Sequence, residues 1–313
     1  MADPSPASLF DREVLAAQAL LREKGLSTGD FLRQPVAEVR ALNSQYQAFL
    51  NEGGPAMAEI TELMLEGDHP PVRVRLYRPD RPGPLPTYLH LHGGGFAIGS
   101  IDSLDRFKRE VAVRSGAMVV GIDYALAPEH AFPTALKQVM TVLRWLPRGG
   151  GVGIGGDSAG GNLALSALQR LRDAGEPMPR FAAIIYGMLT GDLTTPSHAA
   201  FGGGAFGMST ARLEWFWQRY LGDAPLAGSG AMPLEASLAG LPPMLLVAAA
   251  LDALLDDTHA LDRLLTEAGV PHRLKLFPGM PHGFIAQTAL LSQGQAVAED
   301  IADLIRLHLA APS

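Results

Sequence analysis

The chain contains no cysteine among its 313 residues. Disulfides and thiolate-held metals are therefore excluded, which fits a reducing compartment. It also lacks a long apolar run. The longest, residues 244–251, falls far short of the roughly 20 apolar residues that a spanning helix needs. The opening Met1-Ala2-Asp3-Pro4 is acidic and broken by proline, with no basic stretch leading into an apolar one, so no secretory leader is expected. Neither sign of charge is gathered into blocks. The formal net charge of -7 is spread along the chain, leaves no electrostatic footprint for nucleic acid or an anionic membrane, and favours neutral or cationic ligands only weakly. With 47% hydrophobic and 18% charged residues, a well-filled core is affordable and disorder is expected only at the ends. A soluble, cytoplasmic protein is the expectation, binding neither nucleic acid nor a membrane.

What is present has an alternating rhythm, with no internal repeat and no low-complexity linker. Residues 9–52 carry helical spacing in two stretches. In the first, Val14, Leu15, Ala19, Leu20 and Leu21 are expected on one face and Gly25 as the stop; the second covers 35–50. Residues 59–65 and 72–77 alternate as strands around a His69-Pro70-Pro71 turn. Strands are then predicted at 87–91, 117–122, 152–155, 181–186, 244–249 and 273–277. Helices are predicted at 104–114, 133–146, 159–173, 258–268 and 296–309. This order predicts one α/β domain, a mostly parallel sheet flanked by helices on both faces. Residues 190–240 interrupt the rhythm with a glycine-rich Phe201–Gly207 segment and an aromatic helix carrying Trp215, Phe216, Trp217 and Tyr220. Long insertions of this kind commonly form lids. A cap built from about 1–52 and about 190–240 is expected over the core.

Gly156-Asp157-Ser158-Ala159-Gly160 matches G-x-S-x-G between a predicted strand and a predicted helix. A strand-to-helix turn that tight tolerates only small neighbours, and it leaves Ser158 at a helix N-terminus with the Ala159 N–H turned toward incoming negative charge. His92-Gly93-Gly94-Gly95 follows the 87–91 strand, where backbone N–H groups can approach an oxyanion unhindered. Gly94, Gly95 and Ala159 are the candidate oxyanion donors. His92 and Asp157 are assigned structural support. Asp252 follows directly on the 244–249 strand, at the edge where such sheets place their sites. Asp256 and Asp257 compete with it, although their position at the next helix start suggests capping. His282 is the one histidine in a loop after the last strand; His272 precedes that strand, and His259 and His308 lie on helices. Ser158, Asp252 and His282 thus form a candidate nucleophile–acid–base triad.

Five ordered motifs now bear on identity: HGGGF at 92–96, DYALAPEHAFP at 123–133, GDSAGG at 156–161, LDALLDD at 251–257 and PGMPHGF at 278–284. From about residue 76 to 284 the chain resembles the bacterial hormone-sensitive-lipase-like (family IV) esterases, a branch of the α/β-hydrolases. The resemblance implies a serine carboxylesterase without cofactor or metal, acting on a small ester of short or medium acyl chain under a helical cap, as a monomer or homodimer. Phe96, Phe206 and Trp215 are candidate substrate contacts. Asp123, Tyr124 and Glu129 are taken as scaffold behind the site. Departures from the family pattern are Ala125 for its arginine, Ala253 for its proline, and Tyr186-Gly-Met-Leu-Thr-Gly-Asp192 for its Ser-Pro turn. The last bears on the cap and hence on the substrate.

Competing readings fit less well. Gly151, Gly153 and Gly156 satisfy G-x-G-x-x-G but lie before and within a strand, not after one. His90 and His92 could share a strand face as metal ligands, yet glycines follow instead of a further ligand. A binding protein that had lost catalysis would be expected to lack a triad member. The same machinery acting on an amide, lactone, thioester or carbamate is the nearest alternative.

Overall fold

A computed structural model of the chain describes residues 6–147 and 151–309. The first five residues of the expected cap segment, and residues 148–150 of the helix end and turn before the 152–155 strand, lie outside them. The element order is α1 (Arg12–Glu23), α2 (Val36–Leu50), β1 (Glu59–Leu65), β2 (Val72–Arg78), β3 (Thr87–Leu91), α3 (Asp105–Ser115), β4 (Met118–Asp123), α4 (Thr134–Trp145), β5 (Val152–Asp157) and α5 (Ala159–Asp173). Then follow β6 (Ala182–Ile185), α6 (Pro196–Phe201), α7 (Thr210–Leu221), β7 (Met244–Leu251), α8 (Leu255–Glu267), β8 (His272–Pro281) and α9 (Ser292–His308).

The strands form one sheet in the order β1-β2-β4-β3-β5-β6-β7-β8. The first two pairings, β1 with β2 and β2 with β4, are antiparallel, and all later ones are parallel. Side chains on a strand alternate between faces, and here the alternation divides the core in two. Leu89, Val120, Ile122, Ile184 and Leu246 enter one cluster with α4, α5 and α8. Their neighbours Tyr88, Val119, Ile185 and Val247 enter the other, with α3 and α9. Parallel strands covered on both faces are apolar throughout, which is why these segments read as near-continuous hydrophobic runs.

Some boundaries differ from expectation. α8 starts at Leu255 and α9 at Ser292, each earlier than the apolar spacing suggests, because polar residues fill their first turns. β8 runs on to Pro281, paired to Leu251, so His282 follows the strand directly. The buried stripe of α1 is Val14, Ala17 and Leu21, whereas Leu15 and Ala19 face outward; a single helical face holds residues three, four and seven apart, not adjacent pairs.

Two devices bring the helical segments over the sheet's C-terminal edge. Arg40 of α2 donates to the Ala97 and Ala127 carbonyls, both at 2.9 Å, and grips Glu129 with two further bonds at 2.8 and 2.7 Å. This ion pair holds the Glu129 carboxyl down at about 2. Within the 190–240 insertion, Tyr220 of α7 stacks on Phe96 at 3.6 Å between centroids, and its carbonyl accepts from the Phe132 N–H at 2.7 Å.

The closest backbone approach lies beneath α5. A Cβ on Gly160 would stand 2.0 Å from the Leu91 carbonyl oxygen, and one on Gly156 would stand 2.4 Å from the Gly160 carbonyl. These are backbone atoms that cannot rotate away. Gly160→Ala is accordingly expected to destabilise the protein by about 3 kcal/mol, the upper end of ordinary overpacking, measured by urea denaturation. A loss below about 0.5 kcal/mol, the size of a neutral surface change, would show that α5 can shift off β3.

Candidate active site

β5 enters α5 through a single residue. Ser158 has φ 55° and ψ -118°, a conformation that L residues avoid, and is held there by its N–H to the Ile185 carbonyl at 2.9 Å. Strain of this kind persists only where surrounding structure enforces it. It turns the Ser158 side chain out of the strand direction, at the N-terminus of α5. There Ser158 Oγ lies 2.9 Å from His282 Nε2. His282 is delivered by the end of β8, and its Nδ1 lies 2.6 Å from Oδ2 of Asp252, delivered by the end of β7. A carboxylate only accepts, so Nδ1 carries the ring proton and Nε2 is left as an acceptor for the serine hydroxyl. Asp252 is buried, and its second oxygen accepts from the Leu254 N–H at 3.0 Å. The ring of Tyr186 lies 4.7 Å from the imidazole and backs it on one side.

The segment after β3 is pinned from below. Asp157 Oδ1 accepts from the Gly93 N–H at 2.9 Å and lies 3.4 Å from His90 Nε2. The His92 ring stacks on Tyr124 at 4.2 Å, its Nδ1–H donates to the Gly93 carbonyl at 2.7 Å, and the Tyr124 hydroxyl donates to the His92 carbonyl at 2.8 Å. Burial pushes His92 down to about 4 and lowers His90 as well, so both rings are neutral scaffold elements at neutral pH. His90 also packs on Phe107. The Gly94 carbonyl accepts from Ala97 and Ile98. The N–H groups of Gly94, Gly95 and Ala159 have no intramolecular acceptor among the described residues. The Phe216 ring lies where a Cβ on Gly95 would be, at 2.1 Å; only glycine admits it.

A cavity of about 290 Å³ opens beside Ser158 and His282. Gln18 and Leu21 of α1, Asn43, Tyr46 and Gln47 of α2, and Phe206, Met208, Arg212 and Phe216 of the insertion line it. Of the three expected substrate contacts, Phe206 lines this cavity. Phe96 and Trp215 do not. Phe96 is fully buried in its stack on Tyr220. Trp215 packs edge-on against Phe31 at 5.6 Å and beneath the Arg219 guanidinium at 3.6 Å. One residue along the helix is a turn of about 100°, and Phe216 takes the cavity position instead. Tyr46, Phe216 and Arg212 were not singled out from the sequence as substrate contacts; the (i, i+4) pair Arg212–Phe216 was the available signal.

Contrary to the capping role that their position suggests, Asp256 and Asp257 do not cap their own helix; α8 has no side-chain cap bond. Both reach across to the insertion. Asp256 accepts from the Ser197 N–H at 2.8 Å, and Asp257 accepts from the Leu189 and Thr190 N–H groups at 2.7 and 3.0 Å.

The α/β-hydrolase fold family matches residues 88–286, well over half of the chain and the whole stretch from β3 past His282. The chain belongs to this family. Within these hydrolases, it is 32% identical over 262 residues to the carboxylic ester hydrolase LipN of Mycobacterium tuberculosis, covering 78% of this chain and 67% of that one. It is 33% identical over 222 residues to the ethyl acetate hydrolase of Pseudomonas putida, covering 66% and 70%. An ester-hydrolase from the metagenome of Lake Arreo, solved with a bipyridine phosphonate derivative, superposes with a TM-score of 0.88 at 32% identity over 96% of this chain and 99% of that one. The motifs are those of the hormone-sensitive-lipase-like branch, and the fold is the α/β-hydrolase fold. Among the described residues, no helix is long and apolar enough to cross a membrane.

Asp257 yields a pH test. Burial pushes its carboxyl up to about 7, an effect reinforced by Asp252 and only partly offset by the Leu189 and Thr190 bonds. A carboxyl raised on folding contributes stability that is complete below its unfolded value and is lost as pH rises through the folded one. The hydrolase should therefore lose stability between about pH 4 and about pH 7 through this group. Asp257→Asn, which stays neutral, should flatten that part of the curve of denaturation midpoint against pH. An identical curve in the variant would place the titration elsewhere.

Proposed function

We propose that this protein is a serine carboxylesterase that cleaves esters of short to medium acyl chain through an acyl-enzyme on Ser158, with His282 and Asp252 as its base and acid partners. The observation that carries the reading is the continuous pair of hydrogen bonds, 2.9 Å from Ser158 Oγ to His282 Nε2 and 2.6 Å from His282 Nδ1 to Asp252 Oδ2, ending on a strained serine at a helix N-terminus. Ester hydrolysis is also what the names of LipN, the Pseudomonas putida enzyme and the Lake Arreo enzyme state for those proteins.

In the proposed reaction Ser158 Oγ attacks the ester carbonyl carbon as its proton passes to His282 Nε2. The imidazolium so formed faces the Asp252 carboxylate, which stabilises it and fixes its orientation. The carbonyl oxygen becomes an oxyanion held by the N–H groups of Gly94, Gly95 and Ala159, each such donor contributing about 10²–10³ in rate. Collapse breaks the C–O bond to the alcohol, which leaves with the His282 proton. Water then repeats the sequence on the acyl-enzyme, releasing the acid and restoring Ser158. Asp157, His92 and Tyr124 act one layer further out, setting the course of the Gly93–Gly95 backbone. The helical segments 6–52 and 190–240 serve as a cap; that α1, α2 and the insertion all line the cavity beside Ser158 supports this role.

Hydrolysis of p-nitrophenyl esters from acetate to laurate tests the assignment. Ser158→Ala and His282→Ala are each expected to lower kcat by roughly 10⁶, and Asp252→Asn by roughly 10⁴, with circular dichroism unchanged. Full turnover in the serine or histidine variant would overturn the triad. Full turnover in Asp252→Asn would shift the acid's role elsewhere. Within the same series, Phe206→Ala is expected to move the optimum toward longer acyl chains, since it removes an aromatic wall of the cavity. An unchanged chain-length profile would take Phe206 out of the acyl site.

A further inference from the structure

Among the described residues, Arg212 is a cation in the cavity without a counter-ion. It lines the same space as Ser158 and His282. Its guanidinium carbon lies 3.5 Å from the centroid of the Phe31 ring and 5.7 Å from that of Phe216. Its Nε is buried and makes no hydrogen bond. Among the described residues no carboxylate pairs with it, and the only ionisable side chain that interacts with it is Tyr46. Burial pushes the Tyr46 phenol up to about 12, so it faces Arg212 as a neutral hydroxyl. By contrast, Arg40, Arg73 and Arg75 all hold carboxylates.

The rest of the lining leaves this charge unanswered. Gln18, Asn43 and Gln47 beside it are neutral. Among the described residues the one acidic side chain on the cavity wall, Asp157, accepts from the Gly93 N–H, and no ion pair joins it to Arg212. A desolvated cation is costly unless a partner brings negative charge to it, and a guanidinium fork matches a carboxylate in a way that an ammonium does not. The aromatic faces of Phe31 and Phe216 hold the guanidinium in place and compensate it in part, but they leave its N–H donors unfilled. Phe216, one turn further along α7, is the residue that closes over Gly95, so the cation and the oxyanion donors are linked by one rigid helical turn.

We infer that Arg212 determines specificity by binding a free carboxylate on the substrate, so that the preferred ester carries a second, ionised carboxyl group. Resting on the esterase reading above, this narrows its substrate class to half-esters of dicarboxylic acids or esters of hydroxy acids. In either, water adds across one ester bond, giving an acid and an alcohol, and the recognised carboxylate passes through unchanged. Arg212 is a positioning residue here and takes no part in proton transfer.

Matched pairs test this and distinguish the two sources of the charge. Monoethyl glutarate and ethyl glutaramate differ only in a carboxylate or amide on the acyl side; γ-acetoxybutyrate and γ-acetoxybutyramide differ likewise on the alcohol side. The expected result is a kcat/KM ratio of acid to amide of at least about 10 in one pair, the discrimination of one hydrogen-bonded charge. Arg212→Met, which keeps the apolar stem over Phe31, should lower that ratio by about 10- to 100-fold, mainly through KM, and Arg212→Lys should retain part of it. A ratio near one in both pairs, or the same ratio in Arg212→Met, would overturn the inference. Should the wild type cleave no ester at all, including p-nitrophenyl acetate, the esterase reading fails separately. Calorimetric binding of monoethyl glutarate to Ser158→Ala still decides the role of Arg212. Tighter binding than of ethyl glutaramate, lost on adding Arg212→Met, supports it, and equal binding of the two overturns it.

Discussion

The approach of the α5 backbone to β3 governs the geometry of the whole site. With Gly160 seated on the Leu91 carbonyl, no room remains for a relaxed turn between β5 and α5, and Ser158 must take a positive φ. The same seating brings the N-terminus of α5 beside the glycine segment that leaves β3. Thus one packing constraint sets the serine's exposure, the helix N–H behind it and the neighbouring backbone donors. Asp157 links the two halves by side-chain hydrogen bonding, since its carboxylate receives the Gly93 N–H from the residue next to Ser158. Strain at the serine is affordable because both faces of the surrounding sheet are packed against helices.

Three aspartates within six residues after β7 show how placement separates roles. Asp252 points back along the sheet edge to His282. Asp256 and Asp257 lie a turn further on and receive the Ser197 and Thr190 N–H groups from the 190–240 insertion. The acid loop therefore ties the insertion to the same strand end that supplies the histidine's partner. This coupling brings α7 down onto the glycine segment, with Phe216 over Gly95 and Tyr220 over Phe96. Two buried histidines, His90 and His92, support the arrangement as neutral rings, burial having removed their tendency to protonate.

Charge is distributed in a way the net value conceals. A chain with a formal charge of -7 offers little attraction to anions at long range. Inside the cavity, Arg212 shares the wall with the α2 side chains Asn43, Tyr46 and Gln47, which are neutral. A local, desolvated cation outweighs a diffuse surface charge that salt and water screen.

The fold class was legible in the sequence because its signals are short-range: buried parallel strands are apolar throughout, and the helices between them carry their own spacing. The serine, histidine and aspartate were legible for a related reason, since each sits at the end of a strand, the serine and histidine in segments whose glycines or prolines mark a sharp change of direction. The cavity wall was not. Whether Trp215 or Phe216 faces the site depends on the rotation of α7, and that rotation comes from contacts with Phe31, Phe96 and Gly95, residues more than a hundred positions away in sequence. Likewise the residues that Asp256 and Asp257 hold, and the lack, among the described residues, of a carboxylate paired with Arg212, are facts about which segments meet. The sequence by itself determined the elements and marked the serine, aspartate and histidine that meet at the strand ends, because local turn chemistry and periodicity encode them. Only the tertiary structure decided what surrounds them, because burial and the pairing of charge arise from the packing of segments far apart along the chain.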